Sequence, residues 1–461
     1  MASSLFEVVL DRRHPTDRPW QDDDEPQSVN ELFKQLPLAG MTHERLVAEL
    51  STVYCGFVRV ETTVVEQDVA QWEKNAKLED SQWTDLVKLH CMLLIECYNF
   101  FMVAHHPDAS DGLRDLPDKY YITHRMWGQG IQTPMELLRR QLPDTLEHMV
   151  RLISFAYDML TLLTESVPAF ETTFFECLGD LSRYRMAIEK GEDRCMWVGV
   201  ARYWYCRAAD KRPQTGRIQH HLGATALSDF LQQLFHYTKS VVCVDRFQHA
   251  RTGFFRLFES VSDPRTARFM ESTPAQREVA DSRRLRLAFV NAHGILYGKG
   301  PVSAFFVHSR TFLSLLEPYT GSKFRQQGVY IASSNIAAMF QYGQEDSLLG
   351  KLYTEALELS PQERLLAARE YWASHSPPCG EAVPTPALSR GAYLAFRTLS
   401  CVLQHDTKKD ILPYVYVNLA YIWSLALIPT AMVHVQKKIP WSQLVTFLNS
   451  IYEHRTNDSK Q

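Results

Sequence analysis

The sequence lacks the short motifs that usually carry chemistry. Its 461 residues contain no Cys-x-x-Cys pair, no Gly-x-Ser-x-Gly elbow, no His-Glu-x-x-His helix and no Gly-x-Gly-x-x-Gly fingerprint. These arrangements hold zinc, expose a nucleophilic serine or cradle a dinucleotide, so the residues nominate no enzyme and no cofactor. Nine cysteines, an odd number scattered singly through apolar stretches, exclude a disulfide framework and point to a reducing compartment. Neither sign of charge dominates: 49 basic against 53 acidic residues give −4. That excludes a general polyanion binder, so any nucleic-acid site must be a local patch. The first 26 residues lack the basic segment and apolar core of a secretory leader. Strict polar–apolar alternation bounded by hairpin turns is also missing, which argues against a sizeable sheet.

What is present is helical periodicity. At about 150 residues per domain the chain amounts to roughly three domain-sized units or one helical array. Residues 1–40 read as an irregular arm. From Thr42, the apolar residues Leu46, Leu50, Val53, Phe57, Val60 and Val64 recur every three or four positions, predicting a helix to about Trp72. A second helix, capped by Asp80 or Ser81, is apolar nearly all round and reads as central. Thr133-Pro134-Met135-Glu136 has the form of a capping box, which predicts a helix start. Trp197, Ala201, Tyr205, Ala208 and Pro213 approximate a tetratricopeptide half-unit, and Leu222, Gly223, Tyr237 and Ser240 a divergent second one; all are assigned to packing. The expected organisation is an arm at 1–40, a helical domain at 41–260, an Arg-rich connector at 261–284, a C-terminal helical-hairpin region at 285–452 and a tail at 453–461. A Pro-rich exposed loop is expected at 375–390. The uncharged run 411–436 is long enough to span a bilayer, but Asn418, Ser424, Pro429, Thr430 and His434 interrupt it, and it reads as core, with no membrane partner.

HGILYGKG, His293 to Gly300, is one residue short of a phosphate loop and has glycine where Ser or Thr would bind magnesium. His105-His106 and His220-His221 splay from their helices without a ligand partner at metal spacing, and every cysteine reads as buried. Two basic features remain. In GDLSRYR, Asp180 can hold Arg183 or Tyr184 one turn on, leaving a guanidinium beside a phenol, an arrangement suited to phosphate. From the residues alone, a plain surface pair of Arg183 with Asp180 is the stronger reading. The run from Arg246 to Arg286 holds nine arginines against five acids. In it Arg251, Phe254, Phe255 and Phe258 interleave charge with aromatics as single-strand binders do, although Phe254 and Phe258 also stand at core spacing. Arg251, Arg256, Arg283 and Arg284 are the nominated nucleic-acid contacts.

LGDLSRYR, YWYCRAADKRPQTGRIQHHLGATA, LQQLFHYTKSVV, RFQHARTGFFRLF and IPWSQLVTFLNSI, in this order and spacing, resemble the ever-shorter-telomere (Est-one type) DNA/RNA-binding family and its relatives, the nonsense-mediated-decay adaptors of the SMG five, six and seven group. WTDLVKLHCMLLIECYNFFMVAHHPDAS is similar to fungal members. The resemblance spans about Leu46 to Ile451. It implies an all-α fold: a 14-3-3-like helical array with divergent tetratricopeptide-like hairpins, then a helical-hairpin region. It also implies a phosphoserine site, with Arg183 and Tyr184 matching the family's Arg-Tyr element and Lys88 as the opposing basic residue, which reverses the surface-pair reading of Arg183. The implied role is a non-enzymatic adaptor in the nucleus or cytoplasm. Its implied partners are a phosphorylated decay or telomerase component and single-stranded RNA or telomeric DNA. The sequence ends ten residues after IPWSQLVTFLNSI, so a version without the nuclease domain of some relatives is expected. The competing expectation is a plain tetratricopeptide-type scaffold that binds neither phosphate nor nucleic acid.

Overall fold

The computed structural model describes residues 37, 39–74, 77–227, 229–263, 274–316, 324–374, 384–404 and 408–458. Most of the expected arm and tail, and Cys379, lie outside them. The described residues are helical, with one isolated β-bridge, Thr215 to Asp245, and no strand. Numbering helices of eight residues or more, α1 is His43–Lys74, α2 Asp80–Ala104, α3 Thr133–Arg140, α4 Leu146–Ser166, α5 Glu171–Ile188 and α6 Gly191–Lys211. Then follow α7 Gly216–Thr225, α8 Phe230–Val242, α9 Ala250–Ser262, α10 Pro274–Tyr297, α11 Val302–Leu316 and α12 Phe324–Met339. The last are α13 Leu348–Leu357, α14 Pro361–Ser374, α15 Pro386–Val402, α16 Lys408–Ala426 and α17 Trp441–Asp458.

The chain forms two compact units, Met1–Pro213 and Gln214–Gln461. In the first, α1 turns its predicted stripe inward onto α2: Leu46, Leu50, Val53, Phe57 and Val64 are buried. Helix α2 is the central element that its all-round apolarity predicts, flanked by α1 and α4, and 67% of its apolar window is buried. It is the one described helix long and apolar enough to cross a membrane. Its cap is Glu79 rather than Asp80 or Ser81: the Glu79 N–H donates to Gln82 Oε1 at 2.9 Å, and Asp80 instead accepts from His148 Nε2 at 2.8 Å. The capping box at Thr133 does not form either. A π-helical turn over Met126–Gln132 runs straight into α3, so Thr133 has no free end to cap, and its hydroxyl bonds back to the Gly128 carbonyl at 2.8 Å.

In the second unit, α7 and α8 pair as a hairpin whose base is closed by Gly216 N to Asp245 O (2.9 Å) and Asp245 N to Gln214 O (3.0 Å). Helices α8, α9, α10, α12, α15 and α16 share one apolar core that includes Leu234, Phe254, Phe289, Phe324 and Tyr414. The boundary expected near residue 260 therefore lies inside this unit. The stretch read as a connector is helical from Pro274 onward, and the one read as a loop to residue 390 is helical from Pro386, where the Thr385 hydroxyl accepts from Leu388 N at 3.2 Å. The uncharged run 411–436 is divided between α16 and a short helix, Pro429–Met432.

The helix pairs come close by a repeated device. Tyr205 of α6 packs directly against Gly179 of α5, where an added Cβ would stand 2.5 Å from the ring. Tyr237 of α8 lies between Gly223 of α7 and Gly253 of α9, with corresponding distances of 2.6 and 2.7 Å. Of the residues assigned to packing, Ala201, Tyr205, Ala208, Leu222, Gly223, Tyr237 and Ser240 are buried, whereas Trp197 is half-buried and Pro213 is exposed. The partner of α6, however, is the preceding helix α5, not the helix that follows.

Candidate functional site

The Arg-Tyr element lies on the second half of α5, beside the Gly179–Tyr205 contact. Asp180, next to that glycine, accepts from the Tyr205 hydroxyl at 2.5 Å and from Arg183 Nη1 at 3.2 Å. The buried phenol therefore fixes the carboxylate, and the carboxylate holds the guanidinium one turn further on, with 37% of the Arg183 side chain exposed. Tyr184 faces a different neighbour: its hydroxyl donates to Glu136 Oε1 of α3 at 3.1 Å. Burial, reinforced by the charge of Glu136, pushes the Tyr184 phenol well above its ordinary range, so it remains a proton donor. Glu136 is also paired with Arg139 at 2.5 Å. Lys88, half-buried on α2, lies 3.8 Å from Asp85 Oδ1 on its own helix.

This geometry combines a guanidinium, a phenol and two carboxylates. The carboxylates of Asp180 and Glu136 accept from the Arg183 and Tyr184 donors, respectively. Sequence reasoning anticipated Asp180 but not Glu136, which it spent on a capping box; only the fold brings residue 136 to residue 184.

The second nominated surface is on α9 and α10, which pack together. Phe254 is buried and stacks on Tyr297 with ring centres 4.8 Å apart, whereas Phe255 is 65% exposed and meets the edge of the same Tyr297 at 6.2 Å. Arg251, one turn before Phe255, acts on Tyr297 electrostatically, against the burial that raises its phenol. Arg256 is exposed at the rim of a shallow depression that also includes Glu259, Ser260 and Asp263. Arg283 is half-buried, and exposed Arg284 lies 3.5 Å from Asp281. At 1.5 Å per residue, Arg284 stands about 20 Å along α10 from Tyr297, so the four arginines form a track rather than a cluster.

Residues set aside at the sequence level fall as follows. His293 is helical and buried, with Nδ1 2.8 Å from the Tyr342 hydroxyl and Nε2 3.2 Å from Asn335 Oδ1; the glycine-rich stretch that starts there is mostly the end of α10. His106 Nδ1 accepts from Asp108 N, so Nε2 donates to the Pro37 carbonyl at 2.6 Å. His220 lies against Tyr237 and Phe247. The expectation that every cysteine is buried fails at Cys55, on the outer face of α1, and at Cys195, in the exposed first half of α6.

Parts of the chain resemble known proteins. Residues 201–317 match the family described as the Est1 DNA/RNA binding domain, a narrower stretch than the motifs alone suggest. The chain is 25% identical over 198 residues to EST/SMG-like protein 2 of Saccharomyces cerevisiae, covering 40% of this chain and 16% of that protein. It is 32% identical over 119 residues to the Nonsense-mediated mRNA decay factor SMG7-like of Arabidopsis thaliana, covering 24% of this chain and 13% of that protein. The matched stretches are thus less than a fifth of either relative's length. Arg251, Phe255, Arg256, Arg283 and Arg284 fall inside the matched domain, and Arg183, Tyr184 and Lys88 outside it. Over residues 201–317 the chain is thus similar to the Est1-type DNA/RNA-binding domain, and part of it is similar to EST/SMG-like proteins, with the all-α class of fold that the resemblance implies.

Proposed function

We propose that this chain is a non-enzymatic helical adaptor, working in the nucleus or cytoplasm, that holds single-stranded RNA or telomeric DNA on the α9–α10 track while docking a protein partner. The observation that carries the reading is Phe255. A phenylalanine 65% exposed, one turn from Arg251 and adjacent to Arg256, is costly to leave in water and suited to stacking a base while arginines neutralise phosphates. It lies in the stretch that matches the Est1 DNA/RNA binding domain.

The test is fluorescence anisotropy of the full chain with labelled single-stranded RNA and DNA at two salt concentrations. Stacking contributes about 1–3 kcal/mol per base, so Phe255→Ala is expected to weaken binding roughly 5- to 150-fold with no change in melting temperature. Arg251→Glu is expected to weaken it and to flatten its salt dependence. Unchanged binding in both variants refutes the track.

A second reading concerns the docked partner, a phosphorylated segment of a decay or telomerase component. It rests on Arg183, whose guanidinium is aligned by Asp180 and still partly open to solvent beside Tyr184. Binding requires the phosphate to compete with Glu136 for the Tyr184 hydroxyl, so the site favours a doubly charged phosphate over a carboxylate ligand. Lys88 adds charge only if it releases Asp85.

A further inference from the structure

The outer face of α1 is exposed along its length, with Arg140 of α3 over the Trp72 ring at one end, 3.2 Å from its centre, and its pattern is regular. Cys55, Val58, Thr62, Val65, Val69 and Trp72 follow one another at spacings of 3, 4, 3, 4 and 3, and all six are exposed. The spacing continues back to Ala48 with every such position uncharged and exposed, so the stripe extends about 36 Å along a 32-residue helix. It lies opposite the buried stripe of Val53, Phe57 and Val64. Solvent alone demands no such pattern, because an exposed face of this length would ordinarily carry charges. The one hydroxyl among the six is already satisfied: Thr62 donates to the Val58 carbonyl at 2.8 Å, so it can be covered without stranding a donor.

We propose that this face is the seam of a symmetric dimer, in which α1 of one chain lies antiparallel on α1 of a second copy. The heptad spacing with valines at the seam is that of a two-helix coiled-coil contact. The flanking charges select the partner and its direction. Exposed Arg59 and Glu66 are in no ion pair among the described residues. With Thr62 layered on Val65 of the partner subunit, a two-fold axis brings Arg59 of each chain beside Glu66 of the partner subunit, twice over. In a parallel arrangement Arg59 would flank Tyr54 and Glu66 would flank the already paired Glu61, so neither would gain an opposite charge. Glu61 and Asp68, on the other flank of the stripe, are turned inward, one held by Arg125 and the other bonded to His90 at 3.1 Å, so they oppose neither form.

Sedimentation equilibrium of the full chain over a range of concentrations tests this. The wild type is expected to dimerise, and Val65→Lys, at an exposed position, to be monomeric with unchanged circular dichroism. Arg59→Glu and Glu66→Arg should each weaken the dimer about ten-fold, because each converts two attractions into two repulsions, and the double variant should restore it. A wild-type monomer at every concentration overturns the proposal, as does a dimer indifferent to Val65→Lys. A double variant no tighter than the singles overturns the antiparallel register.

Discussion

Gly179→Ala is a substitution that helix propensity favours and this fold forbids. Alanine in place of glycine within a helix contributes about 1 kcal/mol. Here the new Cβ would lie 2.5, 2.7 and 2.8 Å from three atoms of the Tyr205 ring, where ordinary contact begins near 3.4 Å. The ring is fully buried and its hydroxyl is tied at 2.5 Å to Asp180, the residue after the glycine, so it cannot swing aside without breaking that bond. Overpacking typically costs about 1–3 kcal/mol. Loss of a hydrogen bond to a charged group adds about 1.5–3 kcal/mol. Against the propensity gain, the net is about 3 kcal/mol of destabilisation. For a unit of this size that corresponds to a fall of roughly 6–12 °C in melting temperature. Gly199→Ala in α6 is the control, because nothing lies within 4 Å of its added Cβ. The same substitution there is expected to raise the melting temperature by about 2–4 °C. Thermal denaturation of the two variants beside the wild type reads the difference. Shifts in the same direction would refute the view that the close approach of α5 and α6 depends on Gly179 leaving room for the Tyr205 ring.

Two further predictions follow from named contacts. Burial lowers the pKa of His293 to about 3, against about 6.5 in an unfolded chain. Its contribution is therefore complete above pH 6.5 and lost as pH falls below it, about 2 kcal/mol by pH 5. His293→Gln should remove about one proton from the pH dependence of urea denaturation between pH 6.5 and 4, and an unaltered slope would refute the assignment. Glu136→Gln removes the carboxylate that now takes the Tyr184 hydroxyl, so it should tighten phosphoserine-peptide binding in anisotropy several-fold, with Arg183→Glu abolishing it. Equal, weak binding of phosphorylated and plain peptides by all three proteins would leave α5 with a structural role alone.

Helix positions were legible wherever one face is buried, because burial imposes a period. Leu46 to Val64 on α1 shows this, and the all-round apolarity of α2 gave away its central place. The same arithmetic distinguishes Phe254, which is buried, from Phe255, which is not. What period cannot tell is which helix meets the buried face. Tyr205 has the spacing of a hairpin residue, but whether its ring rests on α5 or α7 depends on where a glycine leaves room, and that room is at Gly179. Glu136 was misread for a related reason: Thr-Pro-x-Glu is a local signal, overridden by a π-helical turn that leaves no helix end to cap. Its contact with Tyr184 links positions 48 residues apart, which no local rule encodes.

Tyr237, wedged between Gly223 and Gly253, ties three positions on three helices to one fixed volume. A methyl group gained at either glycine has to be given up by the ring, and a smaller ring would leave a void that two larger neighbours could fill. Substitutions at 223, 237 and 253 are therefore viable in compensating sets and harmful singly. A library randomised at all three sites and selected for folding should return combinations of constant total size, and few single changes.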